Sequence, residues 1–200
     1  MNKILLPFIL CFIISCAQSQ VITTIAGTGI AGFSGDSGSA LIAKLNGPTG
    51  LMFDASGNLY LADTYNDRIR IINGIGTITT IAGGGSTFSG DGGSAVNAWL
   101  SRPSEVELDL SGNLYIADYQ DNAIRKVDNS GVITLFAGNY ATGSGGDGGP
   151  AVSANLNQPY SITWKNGNLY IADTQNHRIR EVNSSGIINT WAGNGSGAYS

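Results

Sequence analysis

Short runs of alternating apolar and polar residues recur along this chain, and each run ends at a turn signal. Residues 56–70, 111–125 and 166–180 carry one pattern three times, in which Gly-Asn-Leu-Tyr-(Leu/Ile)-Ala-Asp is followed by a second short run that ends in Ile-Arg. The copies lie 55 residues apart. Strict alternation over a few residues has the period of a β-strand. The pattern therefore predicts a repeated β-hairpin.

Each repeat is predicted to hold four short strands, a, b, c and d, separated by Gly, Asn and Asp turns. In chain order the predicted strands are 50–54, 58–63, 67–72 and 77–82, then 104–109, 113–118, 122–127 and 132–137, then 160–165, 168–173, 177–182 and 187–192. The repeats span about 28–82, 83–137 and 138–192. Between strand d and the next strand a, the spacing Ala-x-x-Ala-x-Leu predicts a single helical turn.

This repeat resembles the NHL repeat, which is named after an Asn-His-Leu tripeptide. Asn176 and His177 match it and, with Arg178 inserted, so does Ile179. The resemblance covers the chain from about Val21 onward. It implies an all-β fold, a β-propeller of four-stranded blades, which closes sheet edges by radial repetition. That fold houses many functions, so the function must be argued from a site.

The number of predicted strands does not close a ring. The run V-I-T-T-I-A at residues 21–26 matches strand d but has no a, b and c strands before it. We therefore expect three complete blades plus an extra outer strand, with residues 20–200 forming an incomplete part of a six-bladed propeller. The end blades would then expose apolar side chains, at Leu51, Phe53, Ile162 and Trp164.

The first 19 residues predict a signal peptide rather than part of the fold. A lysine precedes the apolar run 4–14, which is too short to span a bilayer. The Ser-Cys pair ending at Cys16 resembles a bacterial lipobox, in which that cysteine is lipidated, whereas residues 17–19 also fit ordinary cleavage before Gln20. Both alternatives predict an extracytoplasmic protein: a cell-surface or periplasmic lipoprotein, or a secreted one.

Composition limits the partners. The two cysteines, Cys11 and Cys16, both fall in the signal, so the folded part has neither a disulfide nor a thiol nucleophile. The net charge of −4 argues against nucleic acid, because phosphate contacts need clustered Lys and Arg. A membrane is expected only through the lipid anchor, and nothing indicates a homo-oligomer. The 29 glycines fit a turn-rich β protein.

Aspartates recur at two positions of each repeat and have two interpretations. Connector aspartates can form a Ca²⁺ site or bind polar groups of a glycan; these are Asp36, Asp91 and Asp147. Alternatively the carboxylates are structural, and each hairpin aspartate pairs with an arginine seven residues later; these pairs are Asp63 with Arg70, Asp118 with Arg125, and Asp173 with Arg180. The structural interpretation is favoured because every repeat keeps both members. No cofactor is predicted, although a site formed by the connector aspartates would allow Ca²⁺ to bind.

The sequence predicts no catalytic residue. His177 is the only histidine, too few for the several-histidine metal site of NHL-like lyases. The serines have no second histidine or lysine nearby that would complete a triad. The G-x-G-x-x-G of residues 27–32 is followed by no long helix and is interpreted as a repeat turn.

Function is better sought where one repeat departs from the others, and the second departs most. Glu105 and Glu107 stand in its strand a, and alternation predicts both carboxylates on one side. Tyr119 replaces a threonine in its hairpin. We expect a ligand near these three residues, with Asp91 and Asp118 on the same face. The alternative is a solvated or Arg102-paired cluster that lines the channel.

Three function classes follow. The first is a non-catalytic binding or scaffold propeller for protein or carbohydrate ligands, which the absence of catalytic residue types favours. The second is an enzyme resembling propeller-type lactonases or lyases, with a divalent cation in the central channel. The third is a sensor or adhesion module of a larger surface protein.

Overall fold

A computed structural model describes residues 21–86 and 88–197, which form three antiparallel β-sheets. The predicted signal peptide, including Cys16, lies outside the described residues. Within the described part of the chain, no helix is long and apolar enough to cross a membrane.

Each sheet is one propeller blade, and its four main strands are hydrogen-bonded in chain order. The first blade consists of β1 (Gly38–Ser39), β2 (Pro48–Phe53), β3 (Leu59–Asp63), β4 (Arg68–Ile72) and β5 (Thr77–Gly83), with the short β1 on the outer edge of β5. The second consists of β6 (Pro103–Leu108), β7 (Leu114–Asp118), β8 (Ala123–Val127) and β9 (Ile133–Ala137). The third consists of β10 (Pro159–Lys165), β11 (Asn168–Asp173), β12 (Arg178–Val182) and β13 (Ile188–Ala192). The twelve blade strands match the predicted ones to within two residues at either end.

In the described residues, five single 3₁₀ turns join the strands. Those before the inner strands are η1 (Ala40–Ile42), η3 (Ala95–Asn97) and η4 (Ala151–Ser153); those in the hairpins are η2 (Thr64–Asn66) and η5 (Thr174–Asn176). The connector turns occur where the Ala-x-x-Ala spacing predicts them. Both alanines of each connector are buried, so the turn packs its small residues onto the sheets.

The hairpins close through side chains of the turn itself. In the first blade, Asp54 Oδ1 accepts the N–H groups of Ser56 and Asn58 at 2.9 and 2.8 Å. Gly57 follows with a φ of +83°, which a residue with a side chain adopts only under strain. These bonds lower the pKa of the Asp54 carboxyl, the Asn58 side chain contributing most.

The inner strands β2, β6 and β10 lie side by side, and the sheets pack face to face. Val106 joins the apolar cluster between the first and second blades, and Ile162 joins the one between the second and third. A Cβ added at Gly50 of β2 would collide with Glu105 of β6, so the inner strands approach each other closely at this glycine. Apolar burial between neighbouring blades therefore stabilises the arrangement of the blades.

One expectation about the end blades is wrong. Residues 21–26 form no strand, and Ile22 is almost fully exposed; this run is predicted to complete a blade that the described residues do not contain, and that pairing stays a prediction. Leu51 and Phe53 are exposed as expected, but Ile162 and Trp164 pack against the second blade. The pleat is the same in every repeat, so these apolar side chains all face the preceding blade.

Candidate functional site

The repeated aspartates and arginines form a buried network inside each blade. In the first blade, Arg70 is fully buried and contacts Asp63 at 3.2 Å and Asp36 at 2.7 Å. Asp63 also accepts the N–H of Asn46 at 2.7 Å, which ties the connector to the hairpin. The third blade repeats this arrangement, with Arg180 between Asp173 and Asp147. These charges therefore join three segments of one blade.

This network separates the connector aspartates from one another. Asp36, Asp91 and Asp147 each contact the arginine of their own blade at 2.7 Å. Among the described residues, no group of three or more Asp, Glu, His or Cys side chains is placed to hold a metal ion. The structure therefore does not assemble these three aspartates into one site.

The second blade departs from the other two inside this network. Asn66 and Asn176 donate their side-chain N–H to the hairpin aspartates of their blades at 2.8 Å. Asp121 stands at that position in the second blade, so a second carboxylate replaces the donor. Arg125 lies 3.5 Å from Asp118, and Asp118 Oδ2 and Asp121 Oδ2 are buried without a hydrogen-bond partner.

Hydroxyl groups connect the inner strands at the face that carries the b–c hairpins. Thr49 donates to the carbonyl of Ser104 at 2.8 Å, and Ser104 donates to the carbonyl of Tyr160 at 2.7 Å. The three residues occupy the same position of successive repeats, directly after a proline. The third repeat has a tyrosine there, and its side chain is half exposed.

A pocket of about 200 Å³ opens at this position, on the face where the sequence analysis places a ligand. Its walls come from all three blades: Thr49, Thr64, Tyr65, Arg102, Ser104, Tyr119 and Tyr160. Tyr119 and Tyr160 meet edge to face at 5.8 Å between ring centroids, and Tyr119 donates to Gln158 Oε1 at 2.9 Å. Thr49 and Thr64 share a 2.7 Å hydrogen bond. Rings and hydroxyls are thus held in place before any ligand arrives.

The two glutamates of β6 contact different blades. Glu105 bends back, so that its Oε1 accepts the N–H of Val106 at 3.2 Å and lies beside Gly50 of the first blade. Glu107 Oε1 accepts the N–H of Trp164 of the third blade at 3.2 Å. Burial, together with the charge of Glu107, raises the pKa of Glu105. Neither glutamate forms an ion pair within the described residues, so the predicted alternative, in which they pair with Arg102, is not observed.

Of the predicted ligand residues, only Tyr119 lines the pocket. Asp118 is fully buried within the blade, and Asp91 binds Arg125 and the hydroxyl of Tyr140, each at 2.7 Å. Sequence reasoning missed Tyr65, Arg102, Tyr160 and Asp121. Comparing the repeats position by position finds Tyr160 and Asp121, because each is the member that differs.

His177 and the glycine-rich loop have local roles in turns. His177 adopts a φ of +53°, like Asp67 and Asn122 at the equivalent hairpin positions. The N–H of Gly27 donates to the carbonyl of Ala40 at 2.9 Å. In the third repeat, the N–H of Gly138 donates to the carbonyl of Ala151 in the same way. Both features are explained by the repeated backbone.

No family model matches the chain. Among curated proteins it is 32% identical over 94 residues to NHL repeat-containing protein 2 of Homo sapiens, covering 46% of this chain and 13% of that protein. It is 29% identical over 195 residues to teneurin-1 of Mus musculus, covering 84% of this chain and 7% of teneurin-1. The chain therefore spans only a small part of the length of these relatives.

Solved structures share the fold. A protein of unknown function from Bacteroides thetaiotaomicron superposes with a TM-score of 0.61 at 24% identity, over 72% of this chain and 37% of that one. An auxiliary nutrient binding protein from Bacteroides ovatus superposes with a TM-score of 0.57 at 17% identity, over 76% of this chain and 37% of that one. A gluconolactonase from Xanthomonas campestris superposes with a TM-score of 0.52 at 13% identity, over 73% of this chain and 47% of that one. The repeated sequence makes the chain similar to NHL-repeat proteins, and the three four-stranded blades share the fold of these solved β-propeller structures.

Proposed function

We propose that this chain is a non-catalytic, extracytoplasmic binding module that takes a carbohydrate or protein ligand at the inner-strand pocket. The observation that carries the proposal is the pocket itself, where Tyr65, Tyr119 and Tyr160 converge from three blades. Tyrosine combines an apolar ring with a polar tip, which suits recognition of amphipathic surfaces. The name of the nutrient-binding neighbour from Bacteroides ovatus supports a binding role.

Rigidity supports the same conclusion. The hydroxyls of Thr49, Thr64 and Ser104 already have hydrogen-bond partners, so the pocket is organised in the free protein. A preformed site loses less conformational entropy when a ligand binds. The pocket lining includes no carboxylate, histidine, cysteine or lysine that would serve as a base or a nucleophile.

The test is a binding screen of the full chain against arrayed glycans and surface proteins, followed by two matched variants. Tyr160→Ala removes a half-exposed ring from the pocket, whereas Trp191→Ala removes an exposed ring from the outer strand β13. We expect the first to weaken binding about tenfold or more and the second to leave it unchanged. Equal effects of the two variants would place the ligand elsewhere.

A second candidate is a lactonase or lyase that holds a divalent cation in the channel. It is favoured by the gluconolactonase neighbour and by Glu105, a half-buried carboxyl group on an inner strand. Calorimetric titration with Ca²⁺, together with a hydrolysis assay on gluconolactone, tests it. Neither heat of binding nor turnover is expected if the chain is only a binding module. A sensor or adhesion module of a larger surface protein is a third candidate, and it would use the same pocket.

A further inference from the structure

Among the described residues Arg68, Arg102 and Arg178 form no ion pair, and of these three Arg102 is the one that lines the inner-strand pocket. The arginine at the centre of each blade is buried between two aspartates. Arg102 instead lies exposed on the pocket wall with its guanidinium 5.4 Å from the ring centre of Tyr65, and no carboxylate of the described residues is within ion-pair distance of it. The pocket therefore presents an unpaired cation next to an aromatic face.

The position of Arg102 in its repeat determines what the pocket wall presents. Its φ is +50°, a conformation that disfavours residues with a side chain, and the first repeat uses Gly47 at the equivalent position. The second and third repeats place Arg102 and Gln158 there. Gln158 contacts the pocket residue Tyr119. The positive φ therefore belongs to the repeated turn, and what changes between repeats is the side chain: the second and third repeats place long polar groups beside the pocket, where the first has none.

The chemistry of the walls limits the ligand. A guanidinium presents several N–H donors in one plane and binds a carboxylate through two of them. Tyr65 and Tyr160 offer half-exposed rings that can lie against the apolar face of a sugar ring. The volume of about 200 Å³ is below the roughly 300–1,000 Å³ of pockets that enclose drug-sized ligands, so the site suits one ring of a longer molecule.

We propose that the pocket binds an acidic sugar, a uronic acid unit of an oligosaccharide, with Arg102 holding the carboxylate and Tyr65 and Tyr160 flanking the ring. This inference rests on the proposed binding function and adds the class of ligand. The chain is acidic overall, with a net charge of −4, so attraction to the carboxylate is local to Arg102. Selectivity for the acid therefore depends on this one side chain.

The experiment is calorimetric titration of the full chain with a trimer of galacturonic acid and with the matching trimer of galactose. We expect the acidic trimer to bind about tenfold tighter, because a charged hydrogen-bonded pair is worth roughly one factor of ten or more. Arg102→Gln should abolish this preference; the third repeat already carries glutamine at the equivalent position with a φ of +52°, so the fold is kept. Lys165→Gln, the same charge change at the far end of β10, should retain the preference.

Three outcomes overturn the inference. Equal affinity for the two trimers removes the acid preference; if Tyr160→Ala then still weakens binding, the pocket and the proposed function stand. A preference that survives in Arg102→Gln assigns the carboxylate to another group. Failure of both trimers to bind excludes this ligand class, and the proposed function is then judged by the glycan and protein screen alone.

Discussion

Asp121 places a second carboxyl group beside the fully buried Asp118, at the position where the first and third blades place an asparagine. Burial raises the pKa of Asp118 to about 8, and the charge of Asp121 adds to the increase, while the N–H of Ser101 and the charge of Arg125 oppose it. Burial also raises the pKa of Asp121. Both shifts favour a protonated carboxyl in the second blade, at the place where the other blades have an amide donor.

This pair makes stability depend on pH. The folded-state pKa of Asp118 lies above the unfolded value, so its protonated form stabilises the fold, and that stability declines as pH rises from about 4 towards 8. Asp121→Asn should raise the free energy of unfolding at pH 8 by about 1–3 kcal/mol by restoring an amide donor. Urea unfolding at pH 5 and pH 8 measures this, and a gain no larger at pH 8 than at pH 5 would contradict it.

The first blade supplies the reciprocal variant. Asn66→Asp should create a similar carboxyl pair with Asp63, which now accepts the Asn66 amide at 2.8 Å. We expect this variant to lose stability, and to lose more at pH 8 than at pH 5. An unchanged pH profile would show that the surroundings of the second blade, and not the residue type, set the pKa.

Removing a central arginine should be among the most damaging single changes. Arg70→Met leaves the buried Asp63 without its counter-ion, and breaking such a pair costs about 3–5 kcal/mol. Arg68→Gln is the matched control, because Arg68 is only partly buried and lies over the ring of Phe33. Denaturant midpoints should separate the two variants clearly; a loss below about 1 kcal/mol for Arg70→Met would refute the structural role.

Close approach of the inner strands is tested at a glycine. Gly50→Ala would push a Cβ into Glu105 and the carbonyl of Ser104, and such overpacking costs about 1–3 kcal/mol. Gly74→Ala meets nothing within 4 Å and should leave the thermal unfolding midpoint almost unchanged. If both variants melt alike, β2 and β6 are further apart than the structure places them.

The glutamates of β6 should be dispensable for folding, and they should matter for binding only if the ligand is a cation in the channel, since neither lines the inner-strand pocket. Glu105→Gln removes a carboxyl whose pKa burial raises, so stability at neutral pH should stay level or increase. Glu107→Gln keeps an oxygen that can accept the N–H of Trp164. Thermal unfolding and ligand titration of both variants check this, and a marked loss of folding would show that the carboxylates are structural.

Lipidation at Cys16 remains a prediction from the sequence. Cys16→Ser should release the protein from membranes into the soluble fraction, because the modified side chain is the expected anchor. Fractionation and mass spectrometry of the mature N-terminus measure it. A wild-type protein that is already soluble and begins at Gln20 would establish ordinary secretion instead.

Much of the fold follows from the sequence because the relevant interactions are local and occur three times. Strand alternation, turn residues and the seven-residue separation of Asp63 from Arg70 lie within one hairpin unit. Repetition shows which positions the architecture requires. The same comparison singles out β6 and Tyr119 as departures.

Contacts between blades could not be predicted in this way. The stretch at residues 21–26 has the composition of a strand, yet it pairs with no strand of the described residues. The packing of adjacent sheets decides which blade Ile162 contacts. It also gives Glu105 and Glu107 different partners.

The candidate site was decided by tertiary structure for the same reason. Tyr65, Arg102 and Tyr160 are far apart in the chain, and comparing the repeats marks Tyr160 as different without showing that the three side chains meet. Radial packing of the blades brings the starts of the inner strands together, and only there do the rings and the guanidinium share one pocket. Local sequence thus determined the blade, and the burial of one blade against the next decided what the blades jointly present to a ligand.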